Sequence, residues 1–235
     1  YMPDGDAVLL HENRPPEWKP GDPMALLVHG LTGCHNSTHI RRIAALLLQS
    51  GVRTFRIDLR GAGEAISLAR NTYHAGRSDD LRIALNWLYH DSPQSNLLLL
   101  GISLGGNMVL KLAGEAAHRP VPGLHRVAAI NPPIDLARCA ELISQPRNRV
   151  YERRFLNDLI RDAEIRQSHF PDLPPLNFPP EMSLVDFDEY YTAPRNGFAS
   201  AQDYYKKASS FSLIPDIKLP TLILTARDDP FIAVE

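Results

Sequence analysis

Leu97-Leu98-Leu99-Leu100-Gly101-Ile102-Ser103-Leu104-Gly105 is the stretch that decides how this chain folds. The leucine run reads as a buried strand, and Met108, Val109, Leu112 and Ala113 give the following segment an apolar helical stripe. A serine therefore stands at a sharp corner between strand and helix. Glycines two before and two after it let the two backbones pass closely while the serine holds a strained angle. Such a corner lifts the hydroxyl above the sheet edge. The helix that begins at Leu104 then turns its free N–H groups and positive dipole end toward any negative charge developing there. Ser103 is the candidate nucleophile.

Working outward, short apolar runs recur at Ala25–His29, Arg53–Asp58, Asn96–Ile102, Arg126–Asn131 and Thr221–Ala226, each ending in loop-forming residues. Amphipathic helices are expected between them. Ile40, Ile43 and Leu47 share one face of a helix that Gly51 can end. Leu81, Ala84, Leu85 and Leu88 mark a second helix, with Ser78 expected as its N-cap and Asp79 and Asp80 in its first turn. Strand–helix alternation with nearly continuous apolar strands predicts an α/β fold, a mostly parallel sheet with helices on both faces. Almost ninety residues separate Asn131 from Thr221, far more than an ordinary crossover. That stretch holds eleven of the eighteen aromatic residues and the proline-rich run Phe170–Pro180. It reads as a cap over the strand ends, with most aromatics in its own core and a few facing Ser103. The expected division is 1–134 core, 135–212 cap and 213–235 core again.

The chain has 235 residues, 44% of them hydrophobic, enough for one large core. With 25 basic against 27 acidic residues and no basic block, nucleic-acid binding has no electrostatic support. Cys34 and Cys139 cannot make a disulfide framework and suit a reducing, cytoplasmic setting. No apolar run reaches membrane-span length. The first residue is Tyr1, so the native start, with any targeting segment, is expected to be absent.

In an open parallel sheet, functional groups gather at the carboxyl ends of the strands. His29-Gly30-Leu31-Thr32-Gly33 forms a loop there whose Leu31 N–H, with that of Leu104, makes a two-donor oxyanion hole. Ala226-Arg227-Asp228-Asp229-Pro230-Phe231 follows the last strand, where the acid of a Ser…Asp…His order belongs. Asp229 is preferred to Asp228, with Asp135 a distant third. A serine needs a base to take its proton, yet no histidine follows Asp229. His29 is expected to organise backbone, and His35 and His39 to sit near the mouth of the site. The simplest account is that the base, a final strand and a closing helix lie beyond Glu235. No metal or organic cofactor is expected.

These residues resemble the α/β-hydrolase superfamily, and more narrowly its YheT-like branch of esterases. The likeness rests on Gly101–Asn107, Asp4–Asp6, His29–Gly33, Asp58–Gly61, Tyr73–Gly76, Ser144–Arg153, Asp186–Pro194, Asp203–Tyr205 and Ala226–Phe231. It implies an α/β-hydrolase fold with a helical cap inserted after the sixth strand. It also implies a serine hydrolase acting on carboxylic esters, Ser103 and Asp229 being two triad members and the third a histidine in a segment this chain lacks. The expected substrate is a small ester or lipid-like molecule, with medium acyl chains favoured over acetate and charged acyl groups disfavoured by an aromatic wall. Acyl transfer to another alcohol, or a binding scaffold without the histidine, are the alternatives. Arg60 is expected to tether loops.

Overall fold

The computed structural model describes residues 1–232. Its six-stranded sheet contains β1 (Leu9–Asn13), β2 (Met24–Val28), β3 (Arg53–Asp58), β4 (Leu97–Ile102), β5 (Leu124–Ile130) and β6 (Thr221–Leu224) in the order β1-β3-β2-β4-β5-β6. Only β1 runs antiparallel to its neighbour; the other pairings are parallel. Helices α1 (Thr38–Gln49), α2 (Ser78–Asp91) and α3 (Leu104–Glu115) connect the strands.

Strand periodicity explains the two faces. Ala25 and Leu27 of β2 pack with Leu100 against Ile40 and Ala44 of α1. Leu26 and Val28 point the other way, into a larger core with Leu97, Leu99, Leu85 and Met108. All five β2 residues are buried, as a strand covered on both faces requires. Two expectations change. Ser78 opens α2 as its first residue and does not cap it; its hydroxyl donates to Glu115 Oε2 at 2.7 Å instead. The long insertion also leaves from β5, so five strands and not six precede it in chain order: the four that the apolar runs revealed and the N-terminal β1 that they did not.

The insertion carries α4 (Leu136–Ile143), α5 (Arg149–His169), α6 (Leu184–Phe187), α7 (Ala193–Arg195) and α8 (Ala201–Ala208), with a π-helical turn at Asp188–Thr192. Leu156, Ala163, Phe187 and Tyr191 form a small core of their own, against which Phe178 packs. Tyr204 and Tyr205 instead join the main core. Among the described residues, no helix is long and apolar enough to cross a membrane.

Buried charges stitch the loops that flank the site. Arg60 pairs through two nitrogens with Asp80, at 2.7 and 2.8 Å, and reaches Asp6 at 2.9 Å. Asp6 in turn accepts the backbone N–H groups of Arg70 and Asn71. The N-terminal segment, the loop after β3 and the start of α2 thus share one network, which is the tether expected of Arg60. On the same edge, Asp58 accepts from His11 Nε2 and His35 Nδ1 through a single oxygen, at 3.0 and 2.7 Å.

Candidate active site

β4 delivers the chain to Ser103 at φ 53°, ψ −123°, a left-handed conformation that an L-residue adopts only under constraint. The constraint is visible on both sides. A Cβ on Gly101 would overlap the Gly105 carbonyl, and one on Gly105 would overlap the carbonyl oxygens of Val28 and His29. Glycine at both positions is therefore a packing requirement of the corner. The Ser103 N–H donates to Ile130 O at 2.8 Å, pinning the turn to the end of β5.

The loop after β2 lies beside this serine. A Cβ on Gly30 would come within 3.0 Å of the Ser103 Cβ, a measure of how closely the backbone approaches. His29 is fully buried; its Nε2 accepts from Leu59 N and its Nδ1 donates to Gly30 O at 2.8 Å. Burial pushes its pKa down, so it stays neutral and clamps two loops. The Tyr73 hydroxyl accepts from Thr32 N at 2.8 Å and holds Thr32 at φ 56°. Leu31, Ser103 and Leu104 line one cavity together. Neither the Leu31 nor the Leu104 N–H donates to an acceptor among the described residues, and α3 adds its positive end beneath them.

Asp229 sits beyond β6 in a fixed orientation. Its Oδ2 accepts from Asn131 Nδ2 at 2.9 Å, and its Oδ1 from Phe231 N and Ile232 N at 3.2 and 3.0 Å. Asn131, at φ 46°, also accepts from Ala226 N, so it joins the ends of β5 and β6. Asp228 is exposed and stands outside this network. Asp135 is the N-cap of α4, accepting from Arg138 N at 3.0 Å. The loop is further held to the insertion by Asn148 Nδ2, which donates to Pro230 O, and by Phe231, whose ring meets Tyr151 and Phe155 edgewise. Asn131 and Asn148 escaped the sequence reading; the Ser144–Arg153 match was the one signal for the second.

The histidines expected at the mouth are elsewhere. His35 stacks on His11 at 3.5 Å and is spent on Asp58; His39 is exposed on α1. His11, His35 and Asp58 are close enough to be considered as metal ligands. Both ring nitrogens are instead directed at the same Asp58 oxygen, so the group closes its own hydrogen bonds. His74 is the one histidine on the cavity wall. Burial pushes it down to about 3, and its Nδ1 accepts from Gly76 N at 3.1 Å. It is too weak a base to activate a serine near neutral pH.

The cavity wall is mostly apolar, with Leu136, Ile143, Phe155, Leu159 and Leu184 from the insertion facing Ser103. Polar groups interrupt it: Asp162, Arg166 and Asp188 also line it. Burial pushes Asp188 up to about 6, although it accepts from the Tyr205 hydroxyl at 2.8 Å. Burial likewise raises Asp162 and brings Arg166 down to about 10. The wall is therefore less purely aromatic than expected.

A family model described as the alpha/beta hydrolase fold matches residues 25–235. The chain belongs to that family. It is 32% identical over 98% of its length to Escherichia coli YheT, provisionally named an esterase, and covers 68% of that protein. It is 29% identical over 89% of its length to the Saccharomyces cerevisiae medium-chain fatty acid ethyl ester synthase/esterase 2. The chain spans about half the length of that yeast relative, 52%. Est1E from Butyrivibrio proteoclasticus, at 17% identity, superposes over 94% of this chain and 75% of its own with a TM-score of 0.58, which is a likeness of fold. An esterase- or lipase-type hydrolase is the coarse activity these relatives support.

Proposed function

We propose that the chain acts as a carboxylic-ester hydrolase through an acyl-enzyme on Ser103. The observation that carries this reading is the strained Ser103 standing between two unengaged N–H groups, those of Leu31 and Leu104. Ser103 Oγ attacks the ester carbonyl, and the oxyanion that forms takes those two N–H donors, each worth about 3–4 kcal/mol in the transition state. A histidine accepts the Ser103 proton and returns it to the departing alcohol. Water then adds to the acyl carbonyl, the same base takes its proton, and the acid leaves as Ser103 is restored. Asp229 orients the histidine. That base is proposed to lie outside the nine histidines of this chain, since none of them meets Asp229 among the described residues and the one on the cavity wall is held neutral. The 235-residue chain alone is accordingly expected to bind substrate and to turn it over only at a residual rate.

A fluorophosphonate probe tests the nucleophile. In protein extended past Glu235 the adduct is expected on Ser103 alone, located by mass spectrometry; an adduct on another serine would remove Ser103 from the mechanism. Acyl transfer to an alcohol is a second reading from the same acyl-enzyme, favoured by the word synthase in the yeast relative's name. Ester formed on adding ethanol distinguishes it from hydrolysis.

We place 135–212 as the cap and a medium acyl chain along its apolar wall, in a cytoplasmic protein. Each methylene buried there is worth about 0.8 kcal/mol, so three or four shift selectivity by about two orders of magnitude when the burial is realised in the transition state. A p-nitrophenyl ester series measures this as kcat/KM against chain length. A maximum at acetate would assign the aromatics to the cap's own core.

A further inference from the structure

Four arginines are nearly inaccessible: Arg53, Arg60, Arg82 and Arg166. Three of them have oxygen partners. Arg53 holds Glu12 and Asp91, Arg60 holds Asp6 and Asp80, and Arg82 donates to Arg119 O. Arg166, on α5, is 3% exposed and donates to no oxygen among the described residues. Among the described residues its guanidinium lies over the face of the Tyr191 ring, 5.2 Å from the guanidinium carbon to the ring centre. A buried guanidinium left in that state is costly, and evolution rarely keeps one without a use.

The surroundings point to what would complete it. Arg166 lines the same cavity as Ser103. Gly61, which also lines the cavity, lets the guanidinium lie against the backbone; a Cβ there would come within 2.9 Å of Arg166 Nη1, so the fork keeps its place at the cavity only because that residue is glycine. Asp162 and Asp6 act on it through space, but no acid among the described residues comes within ion-pair distance. Asp188 is engaged by Tyr205, and Asp162, one turn earlier on α5, has its ion-pair contact with Arg161 at 3.6 Å. A planar fork of donors matches two oxygens of a carboxylate or phosphate better than any neutral group.

We infer that Arg166 receives an anionic oxygen group of the substrate, so that the cavity takes an ester that is apolar along most of its length and carries a carboxylate or phosphate at another point. This rests on the reading of the Ser103 cavity as the ester site. It replaces the expectation that charged acyl groups are disfavoured.

Binding to the Ser103→Ala chain separates this inference from the hydrolytic mechanism, because no turnover is needed. Two matched pairs serve as probes in calorimetric titrations. One is the monomethyl ester of octanedioic acid against methyl octanoate; the other is 1-octanoylglycerol 3-phosphate against 1-octanoylglycerol. At least one anionic member is expected to bind about 10- to 100-fold more tightly than its neutral partner, the range of a charge-assisted hydrogen bond. The pair that shows the preference identifies the source as carboxylate or phosphate. In the Ser103→Ala background, Arg166→Met is expected to abolish the preference and Arg166→Lys to restore part of it. Equal binding within both pairs, or a preference that survives Arg166→Met, overturns the assignment. A second measurement guards against a misfolded variant. Without ligand, Arg166→Met is expected to melt at or above the parent temperature, because it removes an unpaired buried charge; a large fall in Tm would make Arg166 a structural residue and sink the proposal. Loss of fluorophosphonate labelling at Ser103 would strike the hydrolytic reading instead, and the two failures are distinguishable.

Discussion

Asp229→Asn is expected to lower kcat by about 10⁴, the scale of lost tautomer control over a catalytic histidine, whereas Asp228→Asn stays within a few-fold of the parent. The difference follows from how each carboxylate is held. Asp229 is oriented by Asn131 Nδ2 on one oxygen and by the backbone of Phe231 and Ile232 on the other. Asp228 is exposed and outside that network. An Asn at 229 can keep the two backbone donors through its carbonyl oxygen. Its amide then confronts the Asn131 amide, donor against donor, and Asn131 cannot simply turn because its own oxygen accepts from Ala226 N. Some loss of stability is therefore expected with the loss of rate. Thermal melting alongside kcat, both in protein extended past Glu235, separates the two effects. The reverse ranking of the two acids would transfer the role to Asp228.

What the sequence made legible, and what it hid, divides along the range of the interactions. The β4–Ser103–α3 corner is local: a leucine run, two glycines at fixed offsets and an apolar helix stripe are all within twenty residues. The parallel sheet follows from runs of the same kind. β1 was hidden because Leu9–Asn13 carries His11 and Glu12 and lies at an edge, so its burial is only partial. Ser78 looked like a cap because its neighbours are acidic; Glu115, 37 positions away, claimed its hydroxyl. His35, in the loop after β2, was drawn away from the site by a single buried acid, Asp58, at the end of β3. Arg166 was least readable of all. Along Arg149–His169 basic and acidic residues are so frequent that any one of them reads as part of a solvated helix face. Its burial arises only when Tyr191 and the loop at Gly61 close around it.

Replacement of Ser103 is expected to have the largest effect on turnover, and the choice of replacement tests the strained corner as well as the chemistry. In protein that carries the base, Ser103→Ala should lower kcat by on the order of 10⁶, the scale set by losing a nucleophile that acts with its base as a unit. Substrate binding should persist, because the apolar wall, Leu31 and Leu104 are untouched. Ser103→Gly should lose activity equally yet be more stable than Ser103→Ala. At φ 53°, ψ −123° an alanine keeps the Cβ that makes this backbone unfavourable, whereas glycine relieves it. The relief is about 1–3 kcal/mol, less the entropy that glycine gains in the unfolded chain, about 0.4–1 kcal/mol. Urea denaturation of the two variants reads the difference directly. Equal stability of Gly and Ala would mean that the strain at Ser103 does not exceed the entropy glycine gains in the unfolded chain, about 0.4–1 kcal/mol, and a serine variant that still turned over ester at the parent rate would place the nucleophile on another side chain of the cavity.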